Sequence, residues 1–272
     1  MMKKTFLIAM LAVFLAGGLV SCGDDEPDGP KKKNEIEFTV NGVSFTMIKV
    51  DGGTFMMGGT EEQGEDVQED ELPVHKVILS DFSIGQTEVT QELWMAVMGN
   101  NPSYFTGNLQ RPAETMSWDD CQTFISRLNE LTGKTFRLPT EAEWEFAARG
   151  GNMSQHYKYA GSNDIDEVAW YDANSFLVGN SSPDYGTHPV AQKAPNELGL
   201  FDMSGNVFEW CLDDYFPYSS EPQSNPMKYE PDGLPAVRGG CWIVEPIVNR
   251  VAYRGSGTRS YGNSMVGLRL AM

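Results

Sequence analysis

The stretch that decides the fold of this chain is Gly199-Leu200-Phe201-Asp202-Met203-Ser204-Gly205-Asn206-Val207-Phe208-Glu209-Trp210. Asp202, Asn206 and Glu209 bring three side-chain oxygens close together, and Gly205 lets the backbone bend where a β-carbon would obstruct it. From Val207 onward the alternation predicts a strand with Glu209 on one face and the aromatic side chains on the other. We expect the aromatic face to be buried and the acidic face to look at the loop.

Two interpretations of this stretch follow from its residue types. Carboxylate, amide and backbone carbonyl oxygens are the ligands that Ca²⁺ prefers, but the spacing is not that of a helix–loop–helix calcium site. The simpler interpretation is an Asx-type turn, in which Asp202 and Asn206 bond their own backbone. Residue types alone favour the turn.

The first residues predict a processed leader. Residues 1–21 carry two lysines and then an apolar run over residues 6–20, which is too short for a membrane span. The run ends in Leu19-Val20-Ser21-Cys22, which resembles the bacterial lipobox, in which the cysteine is lipidated and becomes the mature N-terminus. An ordinary secretory peptide cut nearby is the alternative.

The residues after Cys22 extend this prediction to location. Gly23-Asp24-Asp25-Glu26 resembles the surface-export signal of Bacteroidetes lipoproteins, although any solvated linker can be acidic. We expect a protein of the cell envelope, anchored to the outer membrane through lipid on Cys22, with the cell surface as a further option. Residues 22–35 would form a flexible tether, and residues 36–272 one domain.

Charge and cysteine usage exclude several classes of function. Removal of residues 1–21 takes away Lys3 and Lys4 and no acid, so the formal net charge changes from −18 to −20. Such a chain is a poor ligand for nucleic acid. No CxxC motif is present and the three histidines have no ligand spacing, which argues against zinc. Cys121, on the apolar face of a predicted helix, is expected in the core.

The 28 glycines and 15 prolines predict many turns, and the periodicities predict an α+β domain with helices early and irregular β-structure later. Asn41-Gly42 marks a β-hairpin, and residues 61–71 read as a polar, acidic loop. The predicted strands cover residues 36–40, 43–50, 52–58, 74–79, 82–86, 207–210 and 266–271. The predicted helices cover residues 87–99, 117–133 and 140–149, the last two beginning with capping boxes.

Several motifs occur in one order along the chain. The longest is Phe136-Arg137-Leu138-Pro139-Thr140-Glu141-Ala142-Glu143-Trp144-Glu145-Phe146-Ala147-Ala148-Arg149-Gly150. The others are residues 53–58, Glu88-Val89-Thr90, residues 199–210, Arg238-Gly239-Gly240 and Gly267-Leu268-Arg269. From about Val50 to Met272 the chain resembles the formylglycine-generating enzymes, also called sulfatase-modifying factors. This resemblance implies an α+β fold with much irregular structure and a C-type-lectin-like relationship.

The resemblance also implies a chemistry that this chain lacks the residues to perform. Enzymes of the family oxidise a sulfatase cysteine to formylglycine with two cysteines, five residues apart, which bind copper. Soft thiolates hold Cu(I), and other ligands do not simply replace them. The two positions fall here on Val244 and Asn249, and no cysteine follows Cys241, so copper is not expected.

Cys241 falls where the family usually has a pocket serine. It is either a lone thiol beside the former active site or a small buried replacement for that serine. Cys211 is either a packing residue or its disulfide partner.

The family's calcium sites carry over more fully. The side chains matching Asp202 and Glu209 and the carbonyls matching Gly205 and Val207 hold one Ca²⁺ in the family, so the resemblance reverses the preference for a simple turn. A second family site would use Asn174, the Ser175 carbonyl and residues near Ser182 and Asp184. That site lacks its expected aspartate, because Ser182 occupies the aligned position.

Three hypotheses about function remain. The first is a non-catalytic binding or structural module, stabilised by calcium, whose old substrate groove takes a peptide or a glycan. By family geometry that groove would be lined by Trp242, Glu245, Arg250, Tyr253 and Arg254. The alternative is that Arg250 and Arg254 only form structural ion pairs. The second hypothesis is an oxidase or another metal-dependent maturation enzyme, and the third is a scaffold that binds proteins of an envelope assembly.

Overall fold

The fold begins with the β-hairpin that Asn41-Gly42 predicts. In the computed structural model, which describes residues 34–272, these two residues have φ values of 48° and 85°, the left-handed conformation that a two-residue hairpin turn requires. The ten strands are β1 (Glu35–Val40), β2 (Val43–Val50), β3 (Gly53–Met57), β4 (His75–Leu79), β5 (Phe82–Gly85), β6 (Phe208–Asp214), β7 (Gln223–Ser224), β8 (Pro235–Arg238), β9 (Gly255–Ser256) and β10 (Val266–Gly267). The predicted leader and Cys22 lie outside the described residues, and Glu35, the last tether residue, already belongs to β1.

The strands form three small sheets. Their orders are β1-β2-β5, β3-β4-β7 and β10-β6-β8-β9. The third sheet mixes a parallel pair, β10 with β6, and antiparallel pairs on the other side of β6. The predicted last strand over residues 266–271 is confirmed only in part, because regular pairing ends at Gly267 and Ala271 forms isolated bridges to Ile84 and Arg137.

Within residues 34–272, four α-helices accompany these sheets: α1 (Gln91–Met98), α2 (Trp118–Thr132), α3 (Glu141–Ala148) and α4 (Ile165–Val168). The two predicted capping boxes are confirmed, with Ser117 and Thr140 each accepting from the backbone N–H three residues later. The prediction of a first helix from residue 87 was wrong by four residues. Thr90 is the N-cap, and the preceding Val89 is extended because its backbone bonds Leu268 and Ala113.

Residues 61–71 are more ordered than the predicted polar loop. They form two 3₁₀ turns, Glu61–Asp66 and Glu69–Glu71. Gln63 and Glu71 are fully buried, because the side chain of Arg250 binds both of them. Beyond residue 150 the absence of a long helix is confirmed for the described residues, since α4 spans four residues and the π-helical turn Asp172–Phe176 spans five.

Two hydrophobic clusters form the core. One packs the hairpin, α1 and α2 around Phe124 and Phe136, and Cys121 lies within it as predicted. The other packs α3 against β3, β4 and β5 around Trp144 and Phe146. No helix in residues 34–272 has the length and apolarity needed to span a bilayer.

Candidate functional site

The stretch at residues 199–210 is a tight, buried turn that leads into β6. Asp202, Gly205 and Asn206 all have positive φ, between 57° and 84°. A β-carbon at Gly205 would lie 2.3 Å from the backbone oxygen of Trp170, so only glycine fits there. The close approach joins the turn to the segment that carries Trp170.

Glu88 organises this turn, and the sequence analysis did not assign it a role. Its carboxylate accepts hydrogen bonds from Asn206 Nδ2 at 2.9 Å and from the Val207 backbone N–H at 3.2 Å. Burial raises the pKa of Glu88 well above its usual range, and the nearby charges of Asp202 and Glu209 raise it further. The Glu88-Val89-Thr90 motif was the available signal.

Glu209 is buried rather than facing a solvated loop. Both faces of the strand are covered, with Glu209 at 0% exposure on one face and Trp210 at 2% on the other. The Glu209 carboxylate accepts from Arg269 Nη2 at 2.6 Å and from Trp144 Nε1 at 2.7 Å. The acidic face is therefore buried beside the turn, where Arg269, which also donates to the Phe201 carbonyl at 2.9 Å, neutralises the Glu209 carboxylate.

The two carboxylates of the predicted calcium site, Asp202 and Glu209, differ in how free their oxygens are to bind a cation. Asp202 fits a cation site, because Oδ2 accepts from the Ala191 N–H at 2.7 Å while Oδ1 is buried without a hydrogen-bond partner among the described residues. Burial raises the pKa of Asp202 to about 6. Glu209 fits only if it shares its oxygens with Arg269. No group of three His, Cys, Asp or Glu side chains suited to a metal occurs in residues 34–272.

The donors of the second predicted calcium site are engaged in local structure. Asn174 Oδ1 accepts from the Tyr171 N–H, and its Nδ2 donates to the Ala169 carbonyl. The Ser175 carbonyl accepts from the Gly186 N–H. Both donor oxygens therefore already accept hydrogen bonds within residues 171–186, and the second calcium site stays a prediction.

Asn249, which stands at the second of the two positions matched to the family's catalytic cysteines, has a structural role here. Asn249 is fully buried, and its Nδ2 donates to the Glu245 carbonyl at 2.9 Å and the Val244 carbonyl at 3.3 Å. A β-carbon at Gly240 would lie 2.2 Å from Asn249 Oδ1. The Asn249 side chain thus hydrogen-bonds the turn at residues 244–249 and packs closely against Gly240 of the Arg-Gly-Gly segment.

The cysteines near this turn are free and buried. Cys211 and Cys241 are both thiols at 0% exposure, so the disulfide considered between them is not formed. Burial raises the pKa of Cys241 to about 12, which keeps the thiol protonated at neutral pH. Cys241 is therefore a packing residue in this structure.

The five predicted pocket residues do not line one pocket. Arg250 and Arg254 are buried in bidentate ion pairs with Glu71 and Glu141 respectively. The alternative of structural ion pairs therefore describes both arginines, since their desolvated guanidinium groups are held by carboxylates from distant segments, although Arg254 also lines a cavity beside Glu141 and Tyr218.

The other three predicted residues occupy three different environments. Trp242 is buried, with its ring centroid 4.9 Å from that of Phe105 and 5.3 Å from that of Tyr185. Glu245 is exposed at the start of a 3₁₀ turn, Pro246–Asn249. Tyr253 is half-buried and lines a groove beside β8 and β9.

This groove, called here the aromatic groove, has a volume of about 360 Å³. It is lined by Phe208, Trp210, Val237, Tyr253, Gly255, Ser256, Gly257, Thr258, Tyr261, Asn263, Met265 and Val266. Of these residues the sequence analysis assigned only Tyr253 to a pocket, because the groove is assembled from four separate segments of the chain.

Comparison with known proteins places the chain among related sequences and structures. Residues 31–272 match the family described as sulfatase-modifying factor enzyme 1-like domain. Chaperone protein LppX of Paenibacillus barcinonensis is 34% identical over 256 residues, covering 78% of this chain and 84% of that protein. The inactive C-alpha-formylglycine-generating enzyme 2 of Bos taurus is 29% identical over 248 residues, covering 85% and 76%.

A solved structure shares the fold. Treponema denticola variable protein 1 superimposes with a TM-score of 0.75 at 30% identity, covering 88% of this chain and 99% of that chain. The α+β fold with small sheets and irregular connections is thereby confirmed.

Proposed function

Because the chain belongs to the sulfatase-modifying factor enzyme 1-like domain family, we propose that it is a non-catalytic binding module of the cell envelope. The observation that carries this proposal is the pair Val244 and Asn249 at the two positions that require cysteine. Neither side chain offers the thiolate that Cu(I) needs. The buried amide of Asn249 instead stabilises the turn that would otherwise hold the metal.

The remaining thiol does not compensate for the missing pair. Cys241 is buried, and its raised pKa leaves it protonated at neutral pH. Two relatives are named a chaperone and an inactive formylglycine-generating enzyme, which agrees with a role without this chemistry. The aromatic groove is the surface that we assign to binding, since it is concave and lined mainly by aromatic and small polar residues.

Cu(I) titration in competition with a chromogenic chelator tests the proposal. The native chain is expected to leave the chelator's Cu(I) signal unchanged. A double variant, Val244→Cys with Asn249→Cys, is expected to withdraw Cu(I), and the single Val244→Cys variant is the matched control. Circular dichroism checks that each variant is folded. Withdrawal of Cu(I) by the native chain, abolished by Cys241→Ser, would overturn the proposal.

We also propose that lipid on Cys22 anchors the mature chain to the outer membrane. The lysine-containing leader and Leu19-Val20-Ser21-Cys22 support this. Cells supplied with labelled palmitate should label the native chain and not a Cys22→Ser variant. Equal labelling of both would contradict the anchor.

A calcium ion bound between Asp202 and Glu209 is the third part of the proposal. The buried, unpartnered Oδ1 of Asp202 supports it, and the Gly205 and Val207 carbonyls would complete the donor set. Bound Ca²⁺ would supply structural charge neutralisation rather than chemistry.

Removal of calcium tests this third part. After EDTA treatment, millimolar CaCl2 should raise Tm by several degrees, because a ligand that binds only the folded chain stabilises it. An Asp202→Ala variant, which removes the side-chain oxygens altogether, should lose most of that rise, while MgCl2 serves as the ion control. An identical rise in the variant would contradict the site.

A further inference from the structure

The aromatic groove differs in charge from the rest of the molecule. Charged residues make up 21% of the chain, and the formal net charge is −18. Within the described part of the chain, none of the residues that line the groove is Asp, Glu, Lys, Arg or His. A ligand that entered this groove would therefore meet no full charge.

The arginines of the same segment are turned away from the groove. Arg254 follows Tyr253 directly, but its guanidinium binds Glu141 with contacts of 2.7 and 2.8 Å. Arg259 follows Thr258 and binds Asp214, and its guanidinium lies 4.4 Å from the Trp118 ring centroid. Both cations are paired elsewhere, so they offer no anchoring charge for an anionic ligand.

Four of the residues that line the groove are aromatic, namely Phe208, Trp210, Tyr253 and Tyr261. The Trp210 ring is buried, and its Nε1 donates inward to the Met116 carbonyl at 3.1 Å. Gly257 lies against this ring, where a β-carbon would approach to 2.4 Å. Tyr261 stands at the rim with 64% of its surface exposed. The accessible aromatic surface of the groove is therefore that of Tyr261 and the half-buried Tyr253, with the covered Trp210 ring beneath.

The polar atoms of the groove are hydroxyl and amide groups. Ser256 and Thr258 are exposed. Asn263 Oδ1 accepts from the Met265 N–H at 2.9 Å, which fixes the amide orientation, and its Nδ2 donates to no other residue in the described part of the chain. Such groups both donate and accept, so they suit a ligand rich in hydroxyl groups.

We infer that the aromatic groove binds a neutral saccharide, an inference that rests on the proposed binding function. The C–H faces of sugar rings pack on aromatic side chains, and their hydroxyls pair with uncharged donors and acceptors. The volume lies near the lower end of small-molecule sites, which span about 300 to 1,000 Å³. An extended peptide is disfavoured because the adjacent edge strand β9 has only two residues to pair with it.

Calorimetric titration of the chain with neutral tetrasaccharides of glucose, mannose and N-acetylglucosamine tests the inference. At least one of them is expected to bind. Tyr261→Ala should weaken that binding about fivefold through lost ring contact. Asn263→Asp keeps the acceptor to Met265 but removes the donor and adds a charge, so it should weaken binding by about fivefold too. Tyr104→Ala, at a tyrosine 73% exposed outside the groove, is the matched control and should change binding less than twofold.

Titration with an uncharged peptide with blocked ends separates the claim that the groove is the binding site from the claim that its ligand is a saccharide. Peptide binding that Tyr261→Ala weakens, without saccharide binding, would overturn the saccharide and retain the groove as the binding site. Binding of neither probe would overturn both the saccharide and the assignment of the groove. Saccharide binding that is indifferent to Tyr261→Ala and Asn263→Asp would overturn the site.

Discussion

At the residue scale, three buried arginines link distant segments of the chain through ion pairs with buried glutamates. Arg238, Arg250 and Arg269 have no exposed surface, and each is paired with a glutamate that is also fully buried. The sequence analysis weighed structural ion pairs for Arg250 but could not choose, because its partner Glu71 lies 179 residues earlier. Spacing along the chain carries no signal for such a contact.

Arg250→Gln should be among the more damaging single changes. It leaves the Glu71 carboxylate buried without its counter-charge, and removal of one member of a buried pair costs about 3 to 5 kcal/mol. Arg137→Gln is the control, because Arg137 is one-third exposed in its pair with Glu143 and should cost less than about 1 kcal/mol. Urea denaturation measures both. Equal free energies of unfolding for the two variants would contradict this role of Arg250.

At the element scale, the sequence predicts a helix start where neighbouring residues set it, and fails to predict one that depends on contacts between distant segments. The capping boxes of α2 and α3 are set by residues three apart, so the sequence predicts both helix starts. The start of α1 depends on Val89 pairing with Leu268, which no local pattern shows. The joint between β6 and α3 is also non-local: Asp213 Oδ2 accepts from the Glu141 N–H at 2.7 Å, at the first residue of α3.

The buried Asp213 carboxyl, which accepts from the Glu141 N–H, should make the free energy of unfolding depend on pH. Burial raises the pKa of Asp213 to about 7, so between about pH 4 and 7 the folded chain holds a proton that the unfolded chain has lost. The stabilisation that protonated Asp213 contributes to the free energy of unfolding is fully present below about pH 4 and is lost as the pH rises through 7. The free energy of unfolding of the native chain, relative to Asp213→Asn, should therefore fall by about 2 kcal/mol between pH 5 and 8. A pH-independent difference would contradict the raised pKa.

At the scale of the whole molecule, the family and fold could be predicted because their motifs are contiguous. The loss of the cysteine pair was likewise readable, since Val244 and Asn249 occupy positions counted from the Arg-Gly-Gly segment. The aromatic groove could not be predicted. It depends on Tyr261 and Asn263 folding beside Trp210 and on the arginines of the same segment turning away.

We propose that this chain does not oxidise a sulfatase cysteine to formylglycine, because Val244 and Asn249 replace the two cysteines that would bind copper. The most direct test of this proposal is incubation of the purified mature chain with a sulfatase-derived cysteine peptide, Cu(I) and oxygen, followed by detection of aldehyde with a hydroxylamine probe. A catalytically active relative with both cysteines is the positive control. The account predicts no aldehyde above the protein-free background. Aldehyde formed in proportion to the amount of native chain would contradict it.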